Sequence, residues 1–178
     1  MLELSLGIAV ASAVMAGVFF AFSSFVMTAL GNIQPAEGIR AMQRINIEVL
    51  CRSFSLLFFG LPVASVGLGV YALWHLSQPE SVYYLLGGIV YLAGSFLVTI
   101  VGNVPLNDAL ARVDPDTDDA NDEWRAYLSA WTRWNHVRTA ACLVACIVIA
   151  AGRLRLLGVT TGRSLPLEEG SKCRTVHC

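Results

Sequence analysis

Charge is what this chain has least of. Asp, Glu, Lys and Arg make up 14% of its 178 residues, where a soluble domain carries about 25%. The charge is also segregated: none of the four types occurs between Leu4 and Ala36, between Ser53 and Pro79, or between Ser81 and Asn107. Each gap exceeds the roughly 20 residues a helix needs to cross a bilayer, and a soluble helical core does not need three such runs. A net charge of −1 leaves a nucleic-acid role without electrostatic support. Zinc-type cysteine spacing is missing: Cys142 and Cys146 sit one turn apart in an apolar stretch, Cys51 is similar, and Cys173 and Cys178 lie in a polar tail. The dinucleotide glycine fingerprint is missing too, as is a facial triad of metal ligands, so neither cofactor nor metal is expected. His136, His75 and His177 fall on opposite sides of the membrane pattern and cannot jointly bind a metal or clamp a haem. The start of the chain has Glu3 and no basic residue, which speaks for a retained anchor rather than a cleaved signal peptide.

What is present is four apolar segments, implying an all-α, four-transmembrane-helix antiparallel bundle over residues 1–157 and a polar C-terminal tail over 158–178. Segment 1 covers about residues 4–30. Its small residues Ser5, Ala9, Ala13, Gly17 and Ala21 recur every fourth position and predict a close-packed helix face. Segment 2 is too long for one crossing, so an amphipathic approach (Ile39, Met42, Gln43, Asn46) leads into a span from about Val49, with Pro62 as a kink candidate. Segment 3 runs from about Ser81 to Val104. Segment 4 is clean only from Thr139 to Gly152, and reaches spanning length by taking in Arg138, His136, Arg133 and the interfacial indoles Trp134 and Trp131. Between segments 3 and 4, the run from Asp114 to Glu123 reads as a solvated loop that caps the last helix with acidic residues.

An up-down-up-down order gathers four sequences at one membrane face: AFSSF, MQRIN, GNVPLND and WTRWNHVRT. The polar residues with no obvious reason to be in a membrane all fall there, which predicts a polar and aromatic pocket just inside that surface. Seven of the twelve basic residues lie on this side, so positive-inside logic puts it in the cytoplasm.

Within segment 4, Trp131, Trp134, Asn135 and Arg138 are spaced i, i+3, i+4 and i+7 and share one face. Indole faces suit flat rings, and the amide and guanidinium suit oxygens. An interfacial tryptophan belt with a snorkelling arginine is the plainer reading. Arg138 sits deepest, and an intramembrane charge is a functional-site hypothesis by default. Asn103 and Asn107 are one turn apart around Pro105, which lacks a backbone donor. Their amides either pair with carbonyls freed there or join Asn46 and Gln43 in a network or around a ligand. His136 lies more than a quarter turn off the Trp131–Arg138 stripe. It is either an interface histidine or, as a group that titrates near neutrality, the proton acceptor, with Asp108 and Glu48 as alternatives.

In order, MQRIN, GNVPLND and WxxWNHVRT, with FSSF ahead of them, resemble a family of small four-span membrane proteins that includes the anthrone oxygenases of aromatic polyketide pathways. The resemblance covers about residues 5–152. It implies oxidation of an anthrone to an anthraquinone with molecular oxygen and no evident flavin, haem or metal. On that reading the partners are a hydrophobic aromatic substrate, O2 and the lipid bilayer. His136 is then expected as base with Asp108 second, and Arg138 with Asn103 or Asn135 as oxyanion stabiliser. Trp131, Trp134, Phe22 and Phe25 would form the ring slot, with Asn107, Asn46 and Gln43 around it. Two rival readings stay open: a membrane protein that binds a hydrophobic molecule such as a quinone, and a haem or metal redox protein.

Overall fold

Four helices long and apolar enough to cross a membrane build the structure: α1 (Glu3–Gly31), α3 (Arg52–Trp74), α4 (Ser81–Leu110) and α5, whose span is Ala120–Arg155 within a helix that continues to Gly162. A shorter helix, α2 (Pro35–Glu48), separates the first two spans. This is a computed structural model, and it describes residues 2–162. The tail expected from residue 158 falls largely outside the described residues. No strand occurs among the described residues. The chain is an all-helical integral membrane protein by length and composition of its spans.

Local sequence accounts for the breaks. Pro35 opens α2 at a position where its missing N–H is harmless. Val49–Cys51 break the chain between α2 and α3, so the long second segment becomes a surface helix followed by a span. Pro62 lies inside α3 and is buried.

The spans form a ring in which α3 packs on α1 and α4, and α5 packs on the same two from the other side. Direction follows from paired contacts. Phe19 meets Arg138 while Gly31 meets Leu128, so α1 and α5 are antiparallel; Gly87 meets Ile149 while Gly102 meets Trp134, so α4 is antiparallel to α5 as well, and α1 and α4 run the same way. Two apolar clusters result. The larger fills the membrane interior with Ile8, Met15 and Phe19 of α1, Phe58 and Leu68 of α3, Tyr84 and Tyr91 of α4, and Cys142 and Ile149 of α5. The smaller caps one end, where α2 lays Ile39 and Met42 over Met27, Leu110, Trp124, Tyr127 and Trp131. Outward faces stay apolar (Leu56 is 77% and Val63 73% exposed), as lipid-facing helices require.

The small-residue stripe of segment 1 is corrected by this packing. Ser5 and Ala9 are buried, but Ala13 and Gly17 face outward and a Cβ at Gly17 would touch nothing. A four-residue step advances about 400° on an α-helix, so the stripe drifts off the interface by about 40° each time. The buried face instead follows Ser5, Ile8, Ser12, Met15 and Phe19. Close approach falls on α4 and α5: a Cβ at Gly94 would lie 2.6 Å from Ala141, and one at Gly87 2.5 Å from Ile149.

Candidate functional site

Two helices widen at one level of the bundle. Phe22–Val26 in α1, and Leu92–Leu97 and Thr99–Asn103 in α4, wind as π-helix. Such turns concentrate at functional sites because they break the regular sharing of backbone carbonyls. Pro105 explains part of the α4 distortion, since it cannot donate to the carbonyl one turn earlier. In α1, the carbonyls just before the wide turn take side chains instead: Phe20 O accepts the Ser24 hydroxyl at 2.7 Å, and Phe19 O accepts Nδ2 of Asn135 at 2.7 Å.

Arg138 occupies the space between the two widened stretches. It is 5% exposed. Its Nη2 donates to Asn135 Oδ1 at 2.6 Å and its Nη1 to Thr99 Oγ1 at 3.3 Å. The guanidinium carbon lies 4.3 Å from the Phe19 ring centre and 5.1 Å from that of Trp131. No carboxylate pairs with it: the ion pairs among the described residues, Arg40–Asp116 and Arg44–Glu48, are both exposed. The Arg138 Nε–H is buried without a partner. A buried cation held by neutral oxygens and two ring faces is therefore short of negative charge and of one acceptor.

Asn135 holds that cation in place. Both its amide donors are engaged, by Phe19 O and by Ser23 Oγ at 2.8 Å, and its oxygen faces Arg138. Ser23 in turn lies 3.2 Å from the Thr139 hydroxyl, which donates to Asn135 O. With every group engaged, Asn135 orients Arg138 rather than facing a ligand.

Neither asparagine of α4 pairs with a carbonyl freed around Pro105. Asn103 donates Nδ2 across the bundle to Trp131 O at 3.2 Å, leaving its Oδ1 buried and without a partner. Asn107 Oδ1 accepts two donors from α5, the Tyr127 hydroxyl at 2.9 Å and Trp131 Nε1 at 2.8 Å. Trp131 is thus clamped at ring and backbone by one face of α4. Phe22 lies against it, with ring centres 5.6 Å apart.

The other predicted residues fall outside this shell. Gln43 bonds the Leu110 and Val113 carbonyls, capping the end of α4, and Asn46 lies beside the Tyr127 hydroxyl in the roof made by α2. Trp134 is 42% exposed and lies across Gly102, where a Cβ would come within 2.7 Å of the indole. His136, Asp108 and Phe25 are exposed, unlike the buried Arg138. His75 is at the far end of the bundle, its Nδ1 against Tyr71 O. No group of three His, Cys, Asp or Glu gathers anywhere among the described residues. Phe19, Thr99 and Tyr127 belong to the shell and were not anticipated; Ser23 and Thr139, also in it, lie within AFSSF and WTRWNHVRT but were not singled out. A signal for one of them exists: Ser95, Thr99, Asn103 and Asn107 recur every fourth residue along an apolar segment.

A separate groove of about 760 Å³ lies between α1 and α3, lined by apolar residues such as Leu4, Ile8, Leu57 and Leu61, with Glu3 and Ser53 among its borders. It shares no residue with Arg138's shell.

The sequence model of one protein family, anthrone oxygenase, matches residues 53–148, more than half of the chain. The match takes in Asn103, Asn107, Trp131, Asn135 and Arg138 and leaves out FSSF and MQRIN. No curated protein and no solved structure matches the chain. The chain belongs to the anthrone oxygenase family.

Proposed function

We propose that this member of the anthrone oxygenase family uses the Arg138 shell to oxidise an anthrone-like polycyclic phenol to a quinone with O2, without a resident cofactor. The observation that carries the reading is the buried Arg138, which has no carboxylate and one unmet N–H, together with an unmet acceptor on Asn103, one turn along α4 from the Arg138 partner Thr99. A phenolate or enolate oxygen supplies what Arg138 lacks, and a hydroxyl on the same ligand supplies what Asn103 Oδ1 lacks.

The chemistry asks little else of the protein. An anthrone carries an acidic methylene between two rings. Loss of one methylene proton gives an electron-rich anion whose charge sits on oxygen, where Arg138 stabilises it. The anion passes an electron to O2, and the resulting radical pair forms a carbon–oxygen bond. Protonation gives a hydroperoxide, and loss of the second methylene hydrogen with cleavage of the O–O bond releases water and leaves the new carbonyl. One O2 is consumed and one water formed. Donors aimed at a developing oxyanion in a dry site act without reorganisation. Trp131, Phe22 and Phe19 frame the flat rings, and Asn135 fixes Arg138. Because His136 and Asp108 lie off the shell, the proton passes to water rather than to either of them. This end faces the cytoplasm by its excess of arginine.

The test is oxygen uptake and quinone absorbance from a hydroxylated anthrone, with purified, metal-analysed protein in detergent. A no-protein control is essential, since anthrones oxidise unaided. Acceleration that survives a chelator supports the reading; a rate equal to the control refutes it. The apolar groove between α1 and α3 favours a second reading, a non-enzymatic carrier of a hydrophobic molecule such as a quinone. Quinone binding without acceleration of oxidation would favour that reading.

A further inference from the structure

Three buried hydroxyls lie at the middle of the bundle with no hydrogen-bond partner: Ser12, Ser65 and Tyr91. They come from α1, α3 and α4, and none is more than 1% exposed. The packing brings them within about two helical turns of one another along the bundle. Tyr84 donates to Ser5 across the parallel pair α1 and α4, at 3.4 Å. Seven residues on in both helices, two turns later, the same pair of residue types recurs as Tyr91 and Ser12. Ser65 lies nearby on α3: its carbonyl oxygen is 3.2 Å from where a Cβ of Gly88 would sit, one turn before Tyr91. A helical serine ordinarily back-bonds the carbonyl four residues earlier, and neither Ser12 nor Ser65 does so.

Hydroxyls left dry in a membrane interior are costly, and buried polar groups without protein partners are the usual ligands of ordered water, which takes about three of them. The cluster also connects to the site above it. The Tyr91 hydroxyl approaches Ser95 without completing a hydrogen bond. Ser95 Oγ accepts Cys142 Sγ at 3.2 Å, and Ser95 O accepts Thr99 Oγ1 at 2.8 Å, which is itself a partner of Arg138.

We infer that Ser12, Ser65 and Tyr91 hold a bound water at the centre of the bundle, joined through Ser95 to the shell around Arg138. This water extends a polar thread along one face of α4, from Asn107 down to Tyr84.

Thermal unfolding in detergent tests the site without any substrate, so the result stands apart from the reading of Arg138. If water bridges the three hydroxyls, Ser12→Ala, Ser65→Ala and Tyr91→Phe each lower Tm by about 2–4 °C, the scale of one hydrogen bond. The triple variant then loses less than the sum, because no orphaned group remains. If the hydroxyls are dry, each substitution leaves Tm unchanged or raises it, and the inference is overturned. Should a variant fail to fold, solid-state NMR on the wild type in lipid gives the same decision. Water-to-protein magnetisation transfer at Tyr91 above that at Phe58 supports the site, and transfer equal to Phe58 overturns it.

Discussion

Replacing Arg138 by methionine separates a cation kept for structure from one kept for chemistry. In the structure Arg138 makes two hydrogen bonds, to Asn135 and Thr99, and two ring contacts, to Phe19 and Trp131. Hydrogen bonds to a charged group contribute about 1.5–3 kcal/mol each, and cation–ring contacts about 0.5–2 kcal/mol. Against this stands the burden of an arginine within a membrane helix, about 2.5–3.5 kcal/mol, and an unmet buried N–H at about 1–3 kcal/mol. The opposing effects largely cancel. At mid-range the contacts outweigh the burden by about 2 kcal/mol, so Arg138→Met is expected to lower stability by about that much, with methionine filling the volume. Turnover should respond very differently, since loss of an oxyanion donor lowers kcat by about 10²–10³. The assay pairs a thermal unfolding curve in detergent with oxygen uptake on a hydroxylated anthrone, each corrected for a no-protein control. A folded Arg138→Met protein with full turnover would refute the oxyanion role. A protein that no longer folds would refute the cancellation and make Arg138 a structural tie.

Other outcomes follow from the same contacts. Asn135→Asp sets a carboxylate against the Arg138 Nη2, where the amide oxygen now sits at 2.6 Å, but turns its second oxygen on Phe19 O, where the amide donated; these effects oppose one another in Tm, while turnover should fall about as far as in Arg138→Met, and unchanged turnover would show that Arg138 need not be free of a counter-ion. Asn107→Ala orphans the Trp131 N–H and leaves the Tyr127 hydroxyl only Asn46 beside it, a loss of about 1–3 kcal/mol for the donor left buried, read as a lower Tm. The Cys51 thiol is exposed, and hydrogen bonding from the Phe54 backbone, with Ser53 behind it, lowers its pKa. The thiolate therefore persists to lower pH than in an ordinary cysteine. With Cys173→Ser and Cys178→Ser in place, a membrane-impermeant maleimide should label Cys51 only from the cytoplasmic side, and labelling of intact cells would reverse the orientation.

Much of the site could be read before the fold was known. Asn103, Asn107, Trp131, Asn135 and Arg138 were anticipated because polar side chains are rare in an apolar helix and their spacing put them on facing stripes. The offset of His136 from the stripe was legible for the same reason, and the structure leaves it outside the shell. Thr99 and Ser95 were missed although they continue the spacing of Asn103 and Asn107, since single hydroxyls are common in membrane helices and carry little signal alone. Ser23 and Phe19 were missed in their actual roles because those roles depend on a π-turn, and a wide turn arises from the fit of neighbouring helices as much as from local residues.

The sequence by itself determined the four spans, the surface helix between the first two, and the end of the bundle where polar residues gather. Those properties depend on the transfer of side chains between water and lipid, which composition and order already encode. Tertiary structure alone decided which face of α1 packs, since a four-residue repeat and a 3.6-residue turn diverge along the helix. It alone decided that Asn135 serves Arg138, that Asn103 turns its oxygen rather than its amide to the unmet side, and that three hydroxyls on three helices are buried without a hydrogen-bond partner. Hydrogen bonds form within about 3 Å and at restricted angles, so the rotation and height of each helix against its neighbours choose the partners.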